Sequence, residues 1–328
     1  MPSAKKSTSA LAVKSKDFAK REPLDPSWIG RVPQMKTGSY ADGMPLHQVQ
    51  YLCCKLILRP NKFVSRESLF EFGKVMREPA KQHGVKFDKE GFASQPVKLR
   101  EVLFIDTEDF RLYNNAFILR RRIPYENGFP SGEPEIVFKF RHPDIQLCAE
   151  TDVRPRILGD HRTKFKCQAM TLKQKLGGIR LLFSHNTQFF RSAVGMGKEN
   201  VTNMDQIADL LPALASIRKE PQEKIQLVSN TIIEEVLQDI GVLNFGDGIS
   251  CKANVAIWRT RGEHRPLIGE FAYQFKFRDR NLLAKEALRR AEAFFIDLQY
   301  AAEDYIALNC TKTATVYRLL GNPPKSHE

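Results

Sequence analysis

Hydrophobic and charged residues alternate with a period of two along several stretches of the chain. Residues 135–141 read EIVFKFR, so that Ile136, Phe138 and Phe140 fall on one parity and charged residues fall on the other. Successive side chains of a β-strand point to opposite faces, so such a stretch predicts a strand with one apolar and one charged side. The same pattern predicts strands at residues 50–59, 116–123, 146–153, 162–170, 179–183, 251–258 and 270–277.

A helical spacing of apolar residues is found in four other stretches. Ser65 is a candidate N-cap for a helix that runs to about Lys81, with apolar residues at steps of three and four. Residues 204–217 and 226–240 are predicted as two further helices. Residues 281–308 carry the longest apolar stripe, which predicts a helix that packs on the sheet.

The polar parity of the predicted strands is rich in charge. Its basic members are Lys55, Arg120, Arg122, Lys139, Arg141, Lys252 and Lys276. Its acidic members are Glu135, Glu150, Asp152 and Glu270. In an open, half-buried sheet these side chains would lie in water. In a closed barrel with helices outside, the apolar parity would face the helices and the charged parity would line the lumen.

The second arrangement predicts an α+β fold with a closed antiparallel β-barrel of about eight strands and helices packed outside. Like charges in such a lumen repel one another and lose hydration, and a chain of phosphates would offset both costs. Arginine offers a planar fork of donors to phosphate oxygens, and lysine offers a compact charge. Carboxylates in the same lumen would hold Mg²⁺ or Mn²⁺.

The overall charge and its distribution also bear on partners and domains. The 328 residues carry a net charge of +13, which indicates an anionic partner. The first 21 residues hold six Lys or Arg against one Asp, and residues 22–45 contain four prolines. We therefore predict a flexible basic tail over residues 1–45. Residues 46–320 are predicted to form a single domain, with a helical elaboration at about 185–245.

Two further features bear on the compartment of the protein. No run approaches the roughly 18 consecutive apolar residues that a membrane helix needs, so no membrane span is predicted. None of the six cysteines forms a C-x-x-C pair or stands at zinc-ligand spacing from a histidine, which favours reduced, buried thiols. Together with the absence of a secretion signal, these features predict a cytoplasmic protein.

The segment FIDTEDFRLYNNAFILRRR, residues 104–122, resembles a motif of the CYTH superfamily, also called the triphosphate tunnel metalloenzymes. Members commonly combine an aromatic-x-D-T segment, a leucine a few residues later and an L-R-x-R strand. The matching residues here are Phe104, Asp106, Thr107, Leu112, Leu119, Arg120 and Arg122. The likeness spans roughly residues 48–153 and, more loosely, residues 250–308.

The resemblance implies a fold, a ligand class and a set of site residues. It implies an antiparallel barrel of about eight strands around an open tunnel that binds triphosphates or longer polyphosphate, usually with a divalent metal. The strand with Lys139 resembles the next basic strand of the family. The segment CAETDV, with Glu150 and Asp152, and the segment LIGEFAYQFKF, with Glu270, resemble its acidic strands. These three acids are therefore the candidate metal ligands.

The first predicted strand departs from the family pattern. The hallmark E-x-E-x-K, whose glutamates hold the metal, corresponds here to Tyr51-Leu52-Cys53-Cys54-Lys55, so the lysine is kept and both glutamates are absent. Ala272 also stands two residues after Glu270, where a second acid is expected. Because Mg²⁺ needs hard oxygen ligands, these changes predict weaker metal binding. Binding of a polyphosphate is thus predicted more firmly than its hydrolysis.

Three functions are compatible with these residues. The first is a metal-dependent tri- or polyphosphate hydrolase, in which the basic residues clamp phosphates and Glu150, Asp152 and Glu270 hold the metal. The second is a non-catalytic polyanion-binding protein on the same scaffold. The third, an RNA-binding protein, ranks last because no interleaving of aromatic and basic residues stands out.

Overall fold

The protein is an α+β molecule of twelve strands and seven short to medium α-helices within the part that the computed structural model describes, residues 32–190, 192, 203–278 and 283–320. The strands are β1 Tyr51–Leu58, β2 Lys86–Asp88, β3 Lys98–Asp106, β4 Phe117–Glu126, β5 Phe129–Pro130, β6 Glu135–His142, β7 His161–Thr171, β8 Ile179–Phe190, β9 Gln226–Leu227, β10 Ile233–Gly246, β11 Ile249–Thr260 and β12 Pro266–Lys276. The helices are α1 Arg66–Val75, α2 Arg77–Gln82, α3 Arg111–Asn114, α4 Ile145–Glu150, α5 Met204–Leu210, α6 Lys285–Ala301 and α7 Lys312–Tyr317.

Nine strands close into a ring in the order β10–β11–β12–β1–β7–β8–β6–β4–β3, and β3 pairs with β10 to complete it. Eight of the nine neighbouring pairs are antiparallel, whereas β1 and β7 run parallel, with Tyr51 opposite Lys166. The predicted α+β fold with a closed ring of strands and helices outside is confirmed. The predicted strand number was about eight, and the ring has nine.

The apolar parity of the ring faces outward and packs under the helices. Phe294 of α6 lies 5.9 Å, between ring centroids, from both Phe245 of β10 and Tyr273 of β12. Phe72 of α1 lies 5.1 Å from Phe271. These side chains belong to one large buried apolar cluster, whose burial is the main favourable term for closing the ring. The charged parity is consequently left on the inside.

Residues Ile145–Glu150 form a helix, α4, so the prediction of a strand over residues 146–153 is wrong. The side chain of Asp144 accepts hydrogen bonds from the backbone N–H groups of Gln146 (2.8 Å) and Leu147 (3.1 Å), which caps α4. Cys148 and Ala149 are buried on the inner face of this helix. The stretch is too short for its apolar residues to distinguish the period of a strand from that of a helix. The capping hydrogen bonds of Asp144 favour the helix.

The prediction of a helix over residues 226–240 is also wrong. Most of that stretch belongs to β10, which pairs with β11 on one side and with β3 on the other. Among the described residues of the predicted helical elaboration at 185–245, the main helical segments are α5 and the 3₁₀ turns Pro212–Ile217 and Val228–Asn230. The first two lie in the stretch 204–217, which was predicted as helical.

The remaining helix predictions are confirmed with changes at their ends. Ser65 caps α1, and Met76 divides the predicted helix into α1 and α2. The long helix predicted at 281–308 is α6, Lys285–Ala301. Residues 1–31 of the predicted basic tail lie outside the described residues. Among the helices of the described ranges, none has the length and hydropathy to span a bilayer.

Asp106 ties the end of β3 to two other parts of the fold. Its buried carboxylate accepts backbone hydrogen bonds from Thr107 (2.8 Å), Leu112 (2.8 Å) and Tyr113 (3.0 Å). It also accepts one from the hydroxyl of Tyr317 at 3.0 Å. The rings of Tyr317 and Tyr113 stack at 4.3 Å between centroids. The aspartate of the D-T motif therefore fixes both the turn into α3 and the C-terminal helix α7.

We expect Asp106→Ala to lower the free energy of unfolding by about 3 kcal/mol, because several buried donors would lose their acceptor. Urea denaturation of the purified variant measures this loss. Asp88→Ala, at the exposed end of β2, serves as the control and should change stability by less than about 1 kcal/mol. Equal stabilities of the two variants would contradict the anchoring role.

Candidate functional site

The ring encloses a cavity with two connected compartments. A narrow compartment of about 140 Å³ and a wide one of about 580 Å³ share the side chains of Lys55, Arg120, Arg122, Lys139 and Gln168. The wide compartment is within the size range of ligand sites. The closed sheet places the inward parity of nearly every strand on this one cavity.

The lining of the cavity is strongly cationic. Three carboxylates lie in it, those of Glu235, Asp239 and Glu270. Against them stand eleven basic residues: Lys55, Lys98, Arg100, Arg120, Arg122, Lys139, Arg141, Lys164, Lys166, Lys252 and Lys312. Such an excess in an enclosed space creates a strong positive potential that attracts anions.

Six of the seven basic residues predicted for phosphate binding line this cavity. Lys55, Arg120, Arg122, Lys139 and Arg141 border the narrow compartment, and Lys252 borders the wide one. Lys276 is the exception: it is the exposed last residue of β12 and lies outside both linings.

Five further cations of the cavity were not assigned to the site from the sequence. Lys164 and Lys166 lie on one parity of a predicted strand and could have been included. Lys98 and Arg100 belong to β3, whose charges occupy both parities and hide the alternation. Lys312 lies in the short helix α7, and no local pattern marks it.

The three predicted metal ligands do not lie together. Glu270 faces the cavity, but Glu150 is an exposed residue of α4 whose carboxylate accepts a hydrogen bond from Gln146 at 2.8 Å. Asp152 pairs with Arg154 at 2.7 Å, also away from the cavity. The reason is the helix in place of the predicted strand, which leaves both acids outside the ring. Among the described residues there is no cluster of three or more His, Cys, Asp or Glu side chains that could hold a metal.

Glu235 and Glu270 form the acidic part of the narrow compartment and share one cation. The ammonium of Lys312 lies 3.1 Å from Glu235 Oε1 and 3.0 Å from Glu270 Oε1. Glu235 also accepts hydrogen bonds from Trp258 Nε1 (2.7 Å) and from Arg100. Lys55 lies 3.3 Å from the second oxygen of Glu270. All four carboxylate oxygens thus have donors from the protein, a donor set that does not fit a resident Mg²⁺ or Mn²⁺.

The ion pairs keep both glutamates ionised in spite of their burial. Burial alone would raise the pKa of Glu270, but the charges of Lys312 and Lys55 lower it to about 2. Burial likewise opposes ionisation of Glu235, and Lys312 and Arg100 hold its pKa well below the ordinary value. These acids are therefore structural anions at neutral pH rather than proton donors.

Arg120 and Lys139 are cations without a counter-charge. Within the described part of the chain neither makes an ion pair, and Lys139 is 7% exposed. Burial, Arg141 and Arg120 lower the pKa of Lys139 well below its ordinary value. Burial and Arg122 also lower the pKa of Arg120. The Nε atoms of Arg120 and Arg122 are buried without an acceptor, so donors are available to an anion.

Comparisons with known proteins give only distant likenesses. No protein-family model and no curated protein matches the sequence. Similar solved structures include an adenylyl cyclase candidate from Hippeastrum, described as having a dominant triphosphatase activity, with 10% identity, a TM-score of 0.38 and coverage of 84% of this chain and 98% of that one. An adenylate cyclase candidate from Bacillus halodurans has 13% identity, a TM-score of 0.34 and coverage of 81% and 95%.

The strand pairing of this chain itself defines its class. It is an α+β protein in which a closed ring of nine strands surrounds a cationic cavity, with helices packed on the outside of the ring.

We expect Lys139→Met to stabilise the ligand-free protein by about 1 kcal/mol or more, because it removes a buried cation that has no partner. The melting temperature at low ionic strength measures the change. Lys276→Met, which alters an exposed lysine outside the cavity, should leave stability within about 0.5 kcal/mol. A lower melting temperature for Lys139→Met would show that Lys139 has a stabilising partner and would contradict this account.

Proposed function

We propose that this protein binds a linear triphosphate or longer polyphosphate inside the ring of strands. The proposal is based on two inward-facing cations, Arg120 and Lys139, that make no ion pair among the described residues. Both line the narrow and the wide compartment, at the point where the two meet. An enclosed cation without a counter-ion is costly, and a bound anion removes that cost. The ligand-free protein is therefore less stable than the protein with a bound anion, and this difference favours anion binding.

The shape and the charge of the cavity favour a chain of phosphates over a small anion. Its basic residues are spread along both compartments, so a single carboxylate or sulfate would reach only a few of them. Lys98 and Lys252 have side chains that are 62% and 64% exposed, which makes the wide compartment the entrance. Lys312, at 13%, closes the narrow end. A linear polyanion that enters here would contact arginine guanidinium groups, whose planar N–H donors match the geometry of phosphate oxygens.

The proposal is for binding rather than for metal-dependent hydrolysis. Hydrolysis of this type needs a divalent ion that neutralises charge on the reacting phosphate and orients the attacking water. The carboxylates of the narrow compartment, Glu235 and Glu270, already bind lysine and arginine side chains. We therefore expect a bound polyphosphate to persist without release of phosphate when Mg²⁺ or Mn²⁺ is added.

Titration calorimetry with sodium tripolyphosphate in the presence of EDTA tests the binding. We expect saturable binding that weakens steeply as salt concentration rises, because the interaction is between charges. The double variant Arg120→Met with Lys139→Met should bind at least about tenfold more weakly, since it removes the two unpaired cations. Longer polyphosphate, ATP and a short single-stranded RNA are compared in the same assay, and phosphate release is measured in parallel.

Lys276→Met is the matched control, because Lys276 shares the sequence pattern but lies outside the cavity. Its affinity should stay within about twofold of the unaltered protein. Equal weakening by Lys276→Met and by the double variant would place the anion on the exterior and contradict the proposal. Tighter binding of RNA than of tripolyphosphate would favour the nucleic-acid alternative.

Binding should also depend on pH through Lys164. Burial and the neighbouring cations Lys166 and Arg162 lower the pKa of Lys164 to about 8, from an ordinary value of 10.5. An anion favours the protonated form, so affinity should be highest below pH 8 and fall by about threefold above it. Calorimetry in two buffers of different ionisation enthalpy at pH 8 should detect proton uptake. An affinity that changes with pH no more in the unaltered protein than in Lys164→Met would contradict this role.

A further inference from the structure

The ammonium of Lys312 lies between two carboxylates at the closed end of the cavity. It is within 3.1 Å of Glu235 and 3.0 Å of Glu270, and it lies 4.7 Å from the centroid of the Trp258 ring. A lysine ammonium has three N–H donors and a compact charge. Two carboxylates and one aromatic face therefore account for its interactions, the last through cation–π attraction.

The fold holds Lys312 in this place from several directions. The side chain of Thr311 caps α7 by accepting a hydrogen bond from the backbone N–H of Ala314 at 3.1 Å. At the other end of the helix, the Tyr317 hydroxyl donates to Asp106 at 3.0 Å. Ser229 donates to the backbone carbonyl of Val316 at 2.8 Å. The helix that begins at Lys312 is thus capped at its start, and near its end it is attached to Asp106 of β3 and to Ser229.

Glu235 and Glu270 require a cation at this position. They lie on β10 and β12, the two neighbours of β11, and are 2% and 9% exposed. Two carboxylates that share a buried site repel each other, so one of them would bind a proton unless a positive charge lay between them. Arg100 and Lys55 each contact only one of the pair. Lys312 contacts both.

We propose that Lys312 is a built-in cation that occupies the position a divalent metal would otherwise take between Glu235 and Glu270. The ammonium fills the space between the two carboxylates and uses one oxygen of each. A divalent ion could bind both glutamates only if Lys312 left. The position is therefore a cation site that the protein fills with its own side chain.

Lys312 also bears on how the end of a phosphate chain would bind, an inference that rests on the proposed function. Lys312, Lys55 and Arg100 line the narrow compartment together with Glu235 and Glu270, and there they would meet the last phosphate of a bound chain. Anion binding should therefore not require Mg²⁺ or Mn²⁺. The position of Lys312 therefore favours a site that binds polyphosphate without a metal ion.

Binding of Mn²⁺ to the full chain, followed by electron paramagnetic resonance without any phosphate, tests the assignment. We expect no stoichiometric Mn²⁺ site in the unaltered protein. Lys312→Met removes the ammonium and leaves both carboxylates, so it should bind one Mn²⁺ at least about tenfold more tightly than the unaltered protein. Adding Glu270→Gln to Lys312→Met should abolish that gain.

Lys252→Met is the matched control. Lys252 also pairs with a cavity carboxylate, Asp239 at 3.8 Å, but no second carboxylate shares this contact. Its removal changes the charge of the same cavity by the same amount and should create no Mn²⁺ site. If Lys252→Met gained as much affinity for Mn²⁺ as Lys312→Met, the change in net charge alone would explain the effect. That result would overturn the assignment.

Two other results would also overturn it. One is a stoichiometric Mn²⁺ site in the unaltered protein that Glu270→Gln removes. The other is a Lys312→Met variant that melts cooperatively but binds no more Mn²⁺ than the unaltered protein. Lys312→Gln provides a second neutral variant if Lys312→Met does not fold. Because phosphate is absent, these outcomes are independent of the tripolyphosphate titration, and either proposal can fail without the other.

Discussion

The cost of enclosing cations is the constraint on which the rest of this structure depends. Burial of the outward apolar faces under the helices closes the ring, and the same closure confines eleven basic side chains to one cavity. Carboxylates of the protein neutralise part of that charge at the closed end. In the part of the chain that the structure describes, Arg120 and Lys139 are left without an ion-pair partner. The cost to the stability of the fold and the proposed affinity for an anion are therefore opposing consequences of one arrangement.

The two ends of the cavity differ in how their charges are compensated. At the closed end, the C-terminal helix contributes Lys312, which completes a network with Glu235 and Glu270. At the open end, the lysines are more exposed and water can screen them. The proposed polyanion would thus pass from a solvated region to one where interactions between charges are stronger. This gradient would give a linear ligand a direction in the cavity.

Alternation along the strands predicted six of the eleven inward cations but fitted an open sheet as well as a closed one, and the charge of the polar parity together with the helices that must cover the apolar parity favoured the closed ring. It succeeded where one parity is apolar over most of a strand, as at Ile136, Phe138 and Phe140 of β6, because the helices must cover that face. It failed for β3, where Glu101 pairs with Arg121 and Arg261 on the outer face and obscures the pattern. It could not find Lys312, because contacts distant in sequence, such as Tyr317 with Asp106, bring α7 to the cavity.

A crystal structure of the protein with bound tripolyphosphate, prepared in the presence of EDTA, tests the central claim most directly. The account predicts phosphate density inside the ring, within hydrogen-bond distance of Arg120 and Lys139, with Lys312 still between Glu235 and Glu270. Tripolyphosphate bound only on the exterior, with the cavity unchanged, would contradict it.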